Sequence, residues 1–347
     1  MKVYYSERQH ISLSQTAFDT IESDQYEFLE KPSRQGLINR IIENFAEESA
    51  ASIDEAVRRY HQRLAEMLKH VPESQTKQRM LSIITDSYRA DLEERMKEYP
   101  IEKSFKFQLN EKNYEAKEMW KDEKGYYGGQ IGKFYKAVLE EYARKSYYER
   151  EYIVLRELIN EIELNIAASK LIIVTLRGPK KRRFEVRPYS ISSDPLKSFH
   201  YLVGLSKEIN SPQSPEKIAS FRVSRVAEVK TSAKRSGKIT NDQKKSIKDK
   251  LENVGVQFLT QESEVIRVRL NADGKHDFER QASLRPHATR VEAAGDNWIY
   301  TFGCSLMQAE YYFFKFGNKA EILEPLELRQ LFISKYESAV NSYKMEK

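Results

Sequence analysis

A group of arginines and aromatic residues between positions 171 and 230 could bind nucleic acid. A guanidinium group is a planar fork of donors that matches a phosphate, and tyrosine or histidine rings can stack on unpaired bases. The basic and aromatic residues that could line such a surface are Lys181, Arg182, Arg183, Arg187, Tyr189, His200, Tyr201, Arg222 and Arg225. We expect Arg187, Arg222 and Arg225 on neighbouring strands, where their guanidinium groups could converge on phosphate.

The positive charge of the chain is concentrated in this part of the sequence. The net charge of the whole protein is +6, yet residues 170–250 contain 20 Lys and Arg against 7 Asp and Glu. A local excess of this kind favours a phosphate-binding surface. One alternative is a solvated basic loop, because seven of the positive residues fall between 230 and 248. In another, the two tyrosines are core residues and the arginines pair with Glu185 or Glu228.

Four β-rich segments carry the basic residues. The first, Lys170 to Arg177, is rich in β-branched residues and ends at Gly178-Pro179. The other three segments are residues 184–189, 199–205 and 219–229. Strands this short, linked by turn signals, favour a small closed β-barrel over an open sheet.

Three short motifs in these segments resemble the signatures of WYL-domain proteins. The name-giving tripeptide of that family corresponds to His200-Tyr201-Leu202, its Pro-Tyr pair to Pro188-Tyr189, and its arginine-containing strand to residues 221–226. The tryptophan of the family is a histidine here, whose ring can still stack on a base. The resemblance covers residues 168–345 and implies an Sm-like β-barrel with a C-terminal extension that commonly dimerises. It also implies a module that senses a ligand or binds nucleic acid.

The N-terminal half contains two similar segments, residues 9–50 and 104–147, at an offset of about 96 residues. Each begins with alternating polar and apolar residues and continues into helical patterns, with helix caps predicted at Ser14 and Ser33. This order predicts a ribbon-helix-helix unit in which one chain supplies both halves. The outward face of the ribbon would carry His10, Ser12, Lys106 and Gln108. Such a ribbon fits a DNA major groove, with phosphates at second-helix N-termini near Ser33 and Gly129.

The rest of the N-terminal half is expected to be helical. Residues 53–98 favour two helices broken near Val71-Pro72, and a long helical pattern from Ile131 to Ile166 favours a connector or a dimer surface. Two alternatives stay open for the repeated segments. They could be unrelated helices, or a ribbon-helix-helix unit used only for assembly, because this region is net acidic.

The C-terminal segment, residues 254–347, predicts the order β-α-β-β-α-β of a ferredoxin-like domain followed by a helix. Strands are expected at 265–270, 288–292, 298–302 and 320–323, and helices at 273–281, at 306–316 and after Pro325. The aromatic run from Tyr311 to Phe314 is a candidate dimer interface, although core packing would use at least half of it. A basic linker is expected over 233–253.

The composition excludes several classes of protein. The single cysteine, Cys304, rules out an internal disulfide framework and a Cys-rich zinc site, and no apolar run approaches the roughly 20 residues of a membrane span. The first five residues lack the apolar core of a signal peptide, which favours a reducing cytoplasm. No P-loop, metal-ligand or nucleophile motif is present, so we expect a non-enzymatic protein without a cofactor or metal. The alternative is a metal-free ribonuclease that uses His200.

These patterns together predict an α+β multidomain protein: a ribbon-helix-helix-like domain (1–168), a WYL Sm-like barrel (169–232), the linker and the ferredoxin-like extension. The expected function is an accessory or regulatory protein whose barrel binds single-stranded RNA, or single-stranded DNA. The combination resembles the WYL accessory proteins encoded beside type VI-D CRISPR effectors, which implies an effector partner and a homodimer. The alternative is a transcription regulator that reads duplex DNA with the ribbon and senses a nucleotide or single strand with the barrel.

Overall fold

The chain forms a mixed α+β structure with a helical N-terminal half and several antiparallel sheets. A computed structural model describes residues 8–94, 100–123, 126–194, 196–209, 215–259, 263–281 and 284–344. Two compact units divide the chain, Met1–Glu157 and Leu158–Lys347. Residues 1–5, on which the expectation about a signal peptide rests, lie outside the described residues.

Two strands from distant parts of the chain form an antiparallel ribbon in the first unit. β1 (Arg8–Leu13) pairs with β2 (Lys103–Gln108), and Ile11 lies opposite Phe105. Ile11, Leu13 and Phe107 are buried, because alternate residues of a strand point to opposite faces. The predicted pairing between the two similar segments is therefore confirmed.

The helices of the first unit are α1 (Gln15–Phe28), α2 (Arg34–Met67), α3 (Gln75–Glu94), α4 (Glu111–Glu118), α5 (Ile131–Arg144) and the first part of α6 (Tyr147–Ala167). Phe18 of α1 and Tyr135 of α5 contact the ribbon through the rings of Phe105 and Phe107. A π-helical turn, Met119–Glu123, and a 3₁₀ turn, Tyr126–Gly129, lie between α4 and α5. Phe45, Phe134 and Tyr142 are fully buried among these helices.

Corresponding helix caps relate the two halves of the first unit. Ser14 caps α1 and Asn110 caps α4, each through a side-chain oxygen that accepts from the backbone of the first turn. A glutamate from the other half holds each cap: Glu140 of α5 accepts from Ser14 N at 2.7 Å, and Glu43 of α2 accepts from Asn110 Nδ2. The caps are 96 positions apart and the glutamates 97, which agrees with an internal duplication that has slipped by one residue.

The helix boundaries differ from the predicted ones at two places. The helical pattern from Ile131 to Ile166 is divided into α5 and α6, because Ser146 and Glu149 form a reciprocal capping box. Ser146 N donates to Glu149 Oε2 at 2.8 Å and Glu149 N donates to Ser146 Oγ at 3.3 Å. Conversely, α2 continues unbroken through residues 50–53, where no Pro or Gly interrupts it.

Five antiparallel strands form the sheet that carries the basic residues, which we call the basic sheet. They are β3 (Lys170–Leu176), β4 (Arg183–Ser193), β5 (His200–Glu208), β6 (Lys217–Arg222) and β7 (Val226–Ser236), in the order β6-β5-β4-β3-β7. One face buries Ile172, Val186 and Leu202 against Ile162 of α6.

The closed barrel predicted from the sequence is not formed by the described residues. β6 and β7 are the two edges of the basic sheet, each paired with one neighbour. The sequence predicts one strand over 219–229, whereas a 3₁₀ turn at Val223–Arg225 separates β6 from β7. This turn redirects the chain, so that β7 pairs with β3 at the opposite edge.

The predicted basic linker also differs from the structure. Its first residues belong to β7, and α7 (Asn241–Val254) takes up most of the remainder. A Thr240 and Gln243 capping box starts this helix, and Ile247 packs against Val203 and Leu205 of β5. Few apolar residues mark the helix in a lysine-rich sequence, which is why the composition suggests a linker.

The C-terminal segment has the element order predicted from the sequence. The elements are β8 (Glu264–Leu270), α8 (Ala272–Arg280), β9 (Ala288–Ala294), β10 (Asn297–Cys304), α9 (Leu306–Phe313), β11 (Ala320–Glu324) and α10 (Leu326–Lys344). The strands form one antiparallel sheet in the order β11-β8-β10-β9. Tyr312 and Phe313 are fully buried in its core, as expected for at least half of the aromatic run, whereas Tyr311 is exposed. None of the helices in the described ranges is long and apolar enough to cross a membrane.

Candidate nucleic-acid interface

The outward face of the ribbon carries the four side chains that the alternation predicts. His10 lies opposite Lys106, and both are exposed. Ser12 lies opposite Ser104 with their Oγ atoms 2.7 Å apart, and Gln108 lies opposite Arg8. Arg8 and Ser104 also lie on this face. Each directly precedes the alternating run recognised in the sequence, at Gln9 and at Phe105, so a longer run would have included both.

The N-termini of the second helices, α2 and α5, differ in whether a side chain caps them. Ser33 caps α2 by accepting from Gly36 N at 3.0 Å, which confirms the predicted cap. α5 begins without a side-chain cap, just after Gly129, which has a positive φ of 74°. The Arg34 guanidinium of α2 lies 5.2 Å from the Phe105 ring of β2 and forms an ion pair with Glu22. This cation is therefore held against the ribbon.

One arginine of the basic sheet is held by a carboxylate at the end of β5. The Arg182 guanidinium donates to both carboxylate oxygens of Glu208 at 2.8 Å. These hydrogen bonds lower the pKa of the Glu208 carboxyl and raise that of Arg182. The Arg182 side chain is exposed, so this pair lies in solvent and stabilises the fold weakly. Its neighbours Lys181 and Arg183 are exposed as well.

A second arginine joins the sheet to the start of α7. The Arg187 guanidinium makes a two-pronged ion pair with Glu216 and donates to the Lys238 carbonyl at 3.0 Å. The Arg187 side chain is 20% exposed. Sequence reasoning considers Glu185 or Glu228 as a partner, but the observed partner is Glu216. Arg187 is therefore a brace within the fold, and its donors are directed at protein acceptors.

A third arginine is stacked on an aromatic ring. The register of β5 and β6 places Arg222 opposite Tyr201. The Arg222 guanidinium carbon lies 3.5 Å from the centre of the Phe199 ring, and the Phe199 and Tyr201 rings meet edge to face at 6.3 Å. We call Phe199, Tyr201 and Arg222 the stacked cluster. The sequence-based site does not include Phe199, although its position directly before His200-Tyr201 places a third aromatic ring in the same motif.

A buried aspartate positions the aromatic part of this cluster. Asp194 accepts from the backbone N–H groups of Leu196 and Ser198 at 3.0 Å and from that of Phe199 at 3.3 Å. Aspartate commonly organises turns in this way, because its carboxylate replaces a backbone acceptor. The turn therefore presents the Phe199 ring at the start of β5.

The predicted convergence of three arginines on phosphate does not occur. Arg187 lies opposite Leu205, and Arg222 lies opposite Tyr201, four residues away along β5. At a rise of about 3.3 Å per residue, these positions are roughly 13 Å apart. Arg225 lies in the 3₁₀ turn after β6 and is exposed.

Of the three predicted aromatic residues, His200 is the one that is too buried for a stacking role. His200 is 5% exposed, because β5 is an inner strand with neighbours on both sides. Tyr189 and Tyr201 are both half-buried, and both pack against the cluster that includes Val203 and Ile247. Tyr201 differs from Tyr189 in its ring contact with Phe199, which places it in the stacked cluster.

Two observations in the described part of the chain concern metal and thiol chemistry. No group of three metal-ligating side chains comes together among these residues. The Cys304 thiol is buried, and burial raises its pKa to about 12. A thiol with such a pKa is protonated at neutral pH and is a poor nucleophile.

Of the comparisons with known proteins, those with solved structures identify a chain of the same fold. No protein-family model matches the chain, and no curated protein matches it. The chain is similar to a solved structure described as the "Crystal structure of a CRISPR Cas-related protein", with 24% identity, a TM-score of 0.72, and coverage of 99% of this chain and 95% of that one. The two chains therefore share a fold over nearly their full lengths.

A second solved structure is similar at a lower level. It is proteasome accessory factor B/C (PafBC) of Arthrobacter aurescens, with 14% identity and a TM-score of 0.31. The match covers 99% of this chain and 51% of that chain. A TM-score this low supports no conclusion about fold or function.

Proposed function

We propose that the protein is a non-enzymatic accessory or regulatory protein of a CRISPR system that binds nucleic acid. The full-length likeness to a CRISPR Cas-related protein supports the setting. The local excess of 20 Lys and Arg over 7 Asp and Glu in residues 170–250 supports a polyanionic ligand. An RNA-targeting CRISPR effector of type VI-D is the proposed partner, and a homodimer in a reducing cytoplasm is the proposed form.

The finer fold assignments belong to the same proposal. A helix followed by five antiparallel strands, with a short 3₁₀ turn before the last, supports an Sm-like WYL module in the second unit. The strand order β11-β8-β10-β9 supports a ferredoxin-like extension. The β1–β2 register and the corresponding caps support a duplicated ribbon-helix-helix unit in the first unit.

The single observation that carries the proposal is the stacked cluster. Arg222 lies 3.5 Å from the Phe199 ring centre and opposite Tyr201 on the neighbouring strand. A cation beside aromatic faces suits a single strand, because the cation can bind backbone phosphate while unpaired bases stack on the rings. Arg225 follows in the next turn, and Lys181 and Arg183 at the start of β4 extend the exposed positive charge. We propose single-stranded RNA as the ligand.

The test is a fluorescence-anisotropy titration of a labelled single-stranded RNA. The double variant Arg222→Ala with Arg225→Ala should weaken binding about tenfold, because it removes one stacked cation and one exposed cation. Arg280→Ala with Arg290→Ala removes the same charge from exposed positions of the C-terminal segment and serves as the matched control. Equal affinities of the wild type and the Arg222 and Arg225 double variant would exclude the basic sheet as the site.

A second candidate function is supported by the ribbon. Its outward side chains, including Lys106 and Gln108, occupy paired positions on two antiparallel strands, a shape that fits a DNA major groove. On this proposal the protein is a transcription regulator that binds duplex DNA through the ribbon, while the basic sheet senses a nucleotide or a single-stranded ligand. Lys106→Ala with Gln108→Ala should then abolish binding to a specific palindromic duplex.

The control for the ribbon removes the same two residue types from the last turns of α2 and from the turn that follows it. Gln62→Ala with Lys69→Ala should leave duplex binding unchanged, because both positions are exposed and lie outside the ribbon. Single-stranded RNA affinity should be unchanged in both double variants. No sequence-specific duplex in a selection with the wild-type protein would rule out the regulator.

A further inference from the structure

A cleft of about 420 Å³ opens next to the stacked cluster in the second unit. Phe199 and Tyr201 line it from the basic sheet, Phe258 lines it from the segment after α7, and Met307 and Tyr311 line it from α9. Its volume lies in the usual range for small-ligand sites, and its lining is mainly apolar. The cleft therefore offers aromatic surfaces on several sides of a space the size of a small planar ligand.

Tyr311 is unusually exposed for an aromatic residue of α9. The neighbouring residues Tyr312 and Phe313 are fully buried in the core, whereas Tyr311 is 64% exposed. Met307, one helical turn earlier on the same face, is also exposed. The other face of α9 packs on the core, and Met307 and Tyr311 line the cleft.

Gln257 gives the cleft a polar side chain. Its Oε1 atom is buried next to Gly255 and has no hydrogen bond among the described residues. An enclosed amide oxygen without a donor costs free energy, since buried polar groups are normally hydrogen-bonded. The amide also carries N–H donors beside this acceptor, which is the arrangement that pairs with the amine and ring nitrogen of adenine.

We propose that this cleft binds one unstacked adenine base of a single-stranded RNA. The aromatic rings would stack on the base, and the Gln257 amide would pair with its edge. Arg222, which lies over the Phe199 ring at the rim, would then bind the adjoining phosphate. The inference rests on the proposed single-strand binding and adds a base preference to it, because cations alone hold a strand without regard to sequence.

The properties of the cleft favour a base over an apolar protein segment. A purely apolar partner would leave the Gln257 oxygen buried and unpaired, and it would gain nothing from the nearby positive charge. An adenine nucleotide satisfies both groups, since its base provides donors and its phosphate provides negative charge. A second copy of this chain would be the competing occupant, and oligomeric state separates the two.

The experiment compares two labelled single-stranded RNAs, one of uridines alone and one with a single central adenosine. The wild type should bind the adenosine-containing RNA roughly five- to tenfold more tightly, the size expected for one stacked and hydrogen-bonded base. Tyr311→Ala and Gln257→Leu should each remove most of this preference. With 2-aminopurine in place of the adenosine, fluorescence should fall on binding to the wild type and fall less with Tyr311→Ala.

Matched substitutions outside the cleft control for side-chain loss. Tyr343→Ala removes a tyrosine that is 86% exposed on α10, and Gln78→Leu changes an exposed glutamine on α3. Both should retain the adenosine preference, and circular dichroism should show that all variants are folded.

The outcomes separate the two proposals. If the wild type binds neither RNA, single-strand binding fails and the base site fails with it. If it binds both RNAs equally, or if the two cleft variants keep the preference, the base site is wrong while single-strand binding stands. A change in oligomeric state by sedimentation for Tyr311→Ala, with an unchanged RNA preference, would assign the cleft to a second copy and overturn the inference.

Discussion

The ribbon and the basic sheet present their cations in different ways. On the ribbon, Lys106 and its neighbour across the strands, His10, are exposed on a face whose opposite side is buried. In the basic sheet, Arg182 and Arg187 are each held by two oxygens of a carboxylate, and Arg222 is stacked on Phe199. A count of positive residues therefore overstates the phosphate-binding capacity of the sheet, because some of these cations stabilise the fold.

The largest expected effect concerns the caps that position the ribbon. Glu140→Ala should lower the free energy of unfolding by about 2–3 kcal/mol, because the buried Ser14 N–H and hydroxyl lose a charged acceptor. Glu43→Ala at the corresponding position should cost about 1 kcal/mol, since its partner Asn110 is exposed and can bind water. Urea denaturation measures both. Equal losses in the two variants would contradict the difference in burial between the two halves.

A smaller loss is expected at the brace of the basic sheet. Arg187→Ala should lower the free energy of unfolding by about 1–2 kcal/mol, because Glu216 and the Lys238 carbonyl lose their donors at a partly exposed site. RNA affinity, measured on the folded variant, should change less than twofold. A tenfold loss of RNA affinity with unchanged stability would show instead that Arg187 binds the ligand.

The smallest effect is a gain of affinity. Glu208→Gln should release the Arg182 guanidinium from its ion pair and strengthen single-stranded RNA binding about two- to threefold at low salt. The control Glu337→Gln makes the same change of charge at an exposed position of α10. The same gain in both variants would indicate a general effect of net charge rather than release of Arg182.

The ribbon was predictable because its signals are local and periodic. Alternation over six residues fixes which side chains of β1 and β2 share a face, and a repeat of about 96 residues identifies the partner strand. The C-terminal element order was predictable for a similar reason, since turn residues separate its short periodic runs.

The partners of the sheet arginines were not predictable, because they depend on strand register. Glu208 lies 26 residues from Arg182, and Glu216 lies 29 residues from Arg187. Several other carboxylates are nearer in sequence, and composition gives no reason to choose between them. The burial of His200 likewise follows from the inner position of β5, which short strand signals do not reveal.

The residues of the cleft were even less predictable from the sequence than the partners of the sheet arginines. Gln257 and Tyr311 belong to different elements and come together only in the tertiary structure. Gln257 follows α7 in a segment next to the predicted linker, and Tyr311 belongs to an aromatic run whose other members are core residues. Neither residue carries a sequence signal that distinguishes it from its neighbours.

The most direct test of the central claim is the salt dependence of single-stranded RNA binding. Each phosphate contact on a single strand contributes about −0.7 to the slope of log K against log salt. We predict that Arg222→Ala with Arg225→Ala makes this slope shallower by roughly 1.4, the value for two lost phosphate contacts, whereas Arg187→Ala leaves it unchanged. An identical slope for the wild type and the Arg222 and Arg225 double variant would contradict the claim that this end of the basic sheet binds the strand.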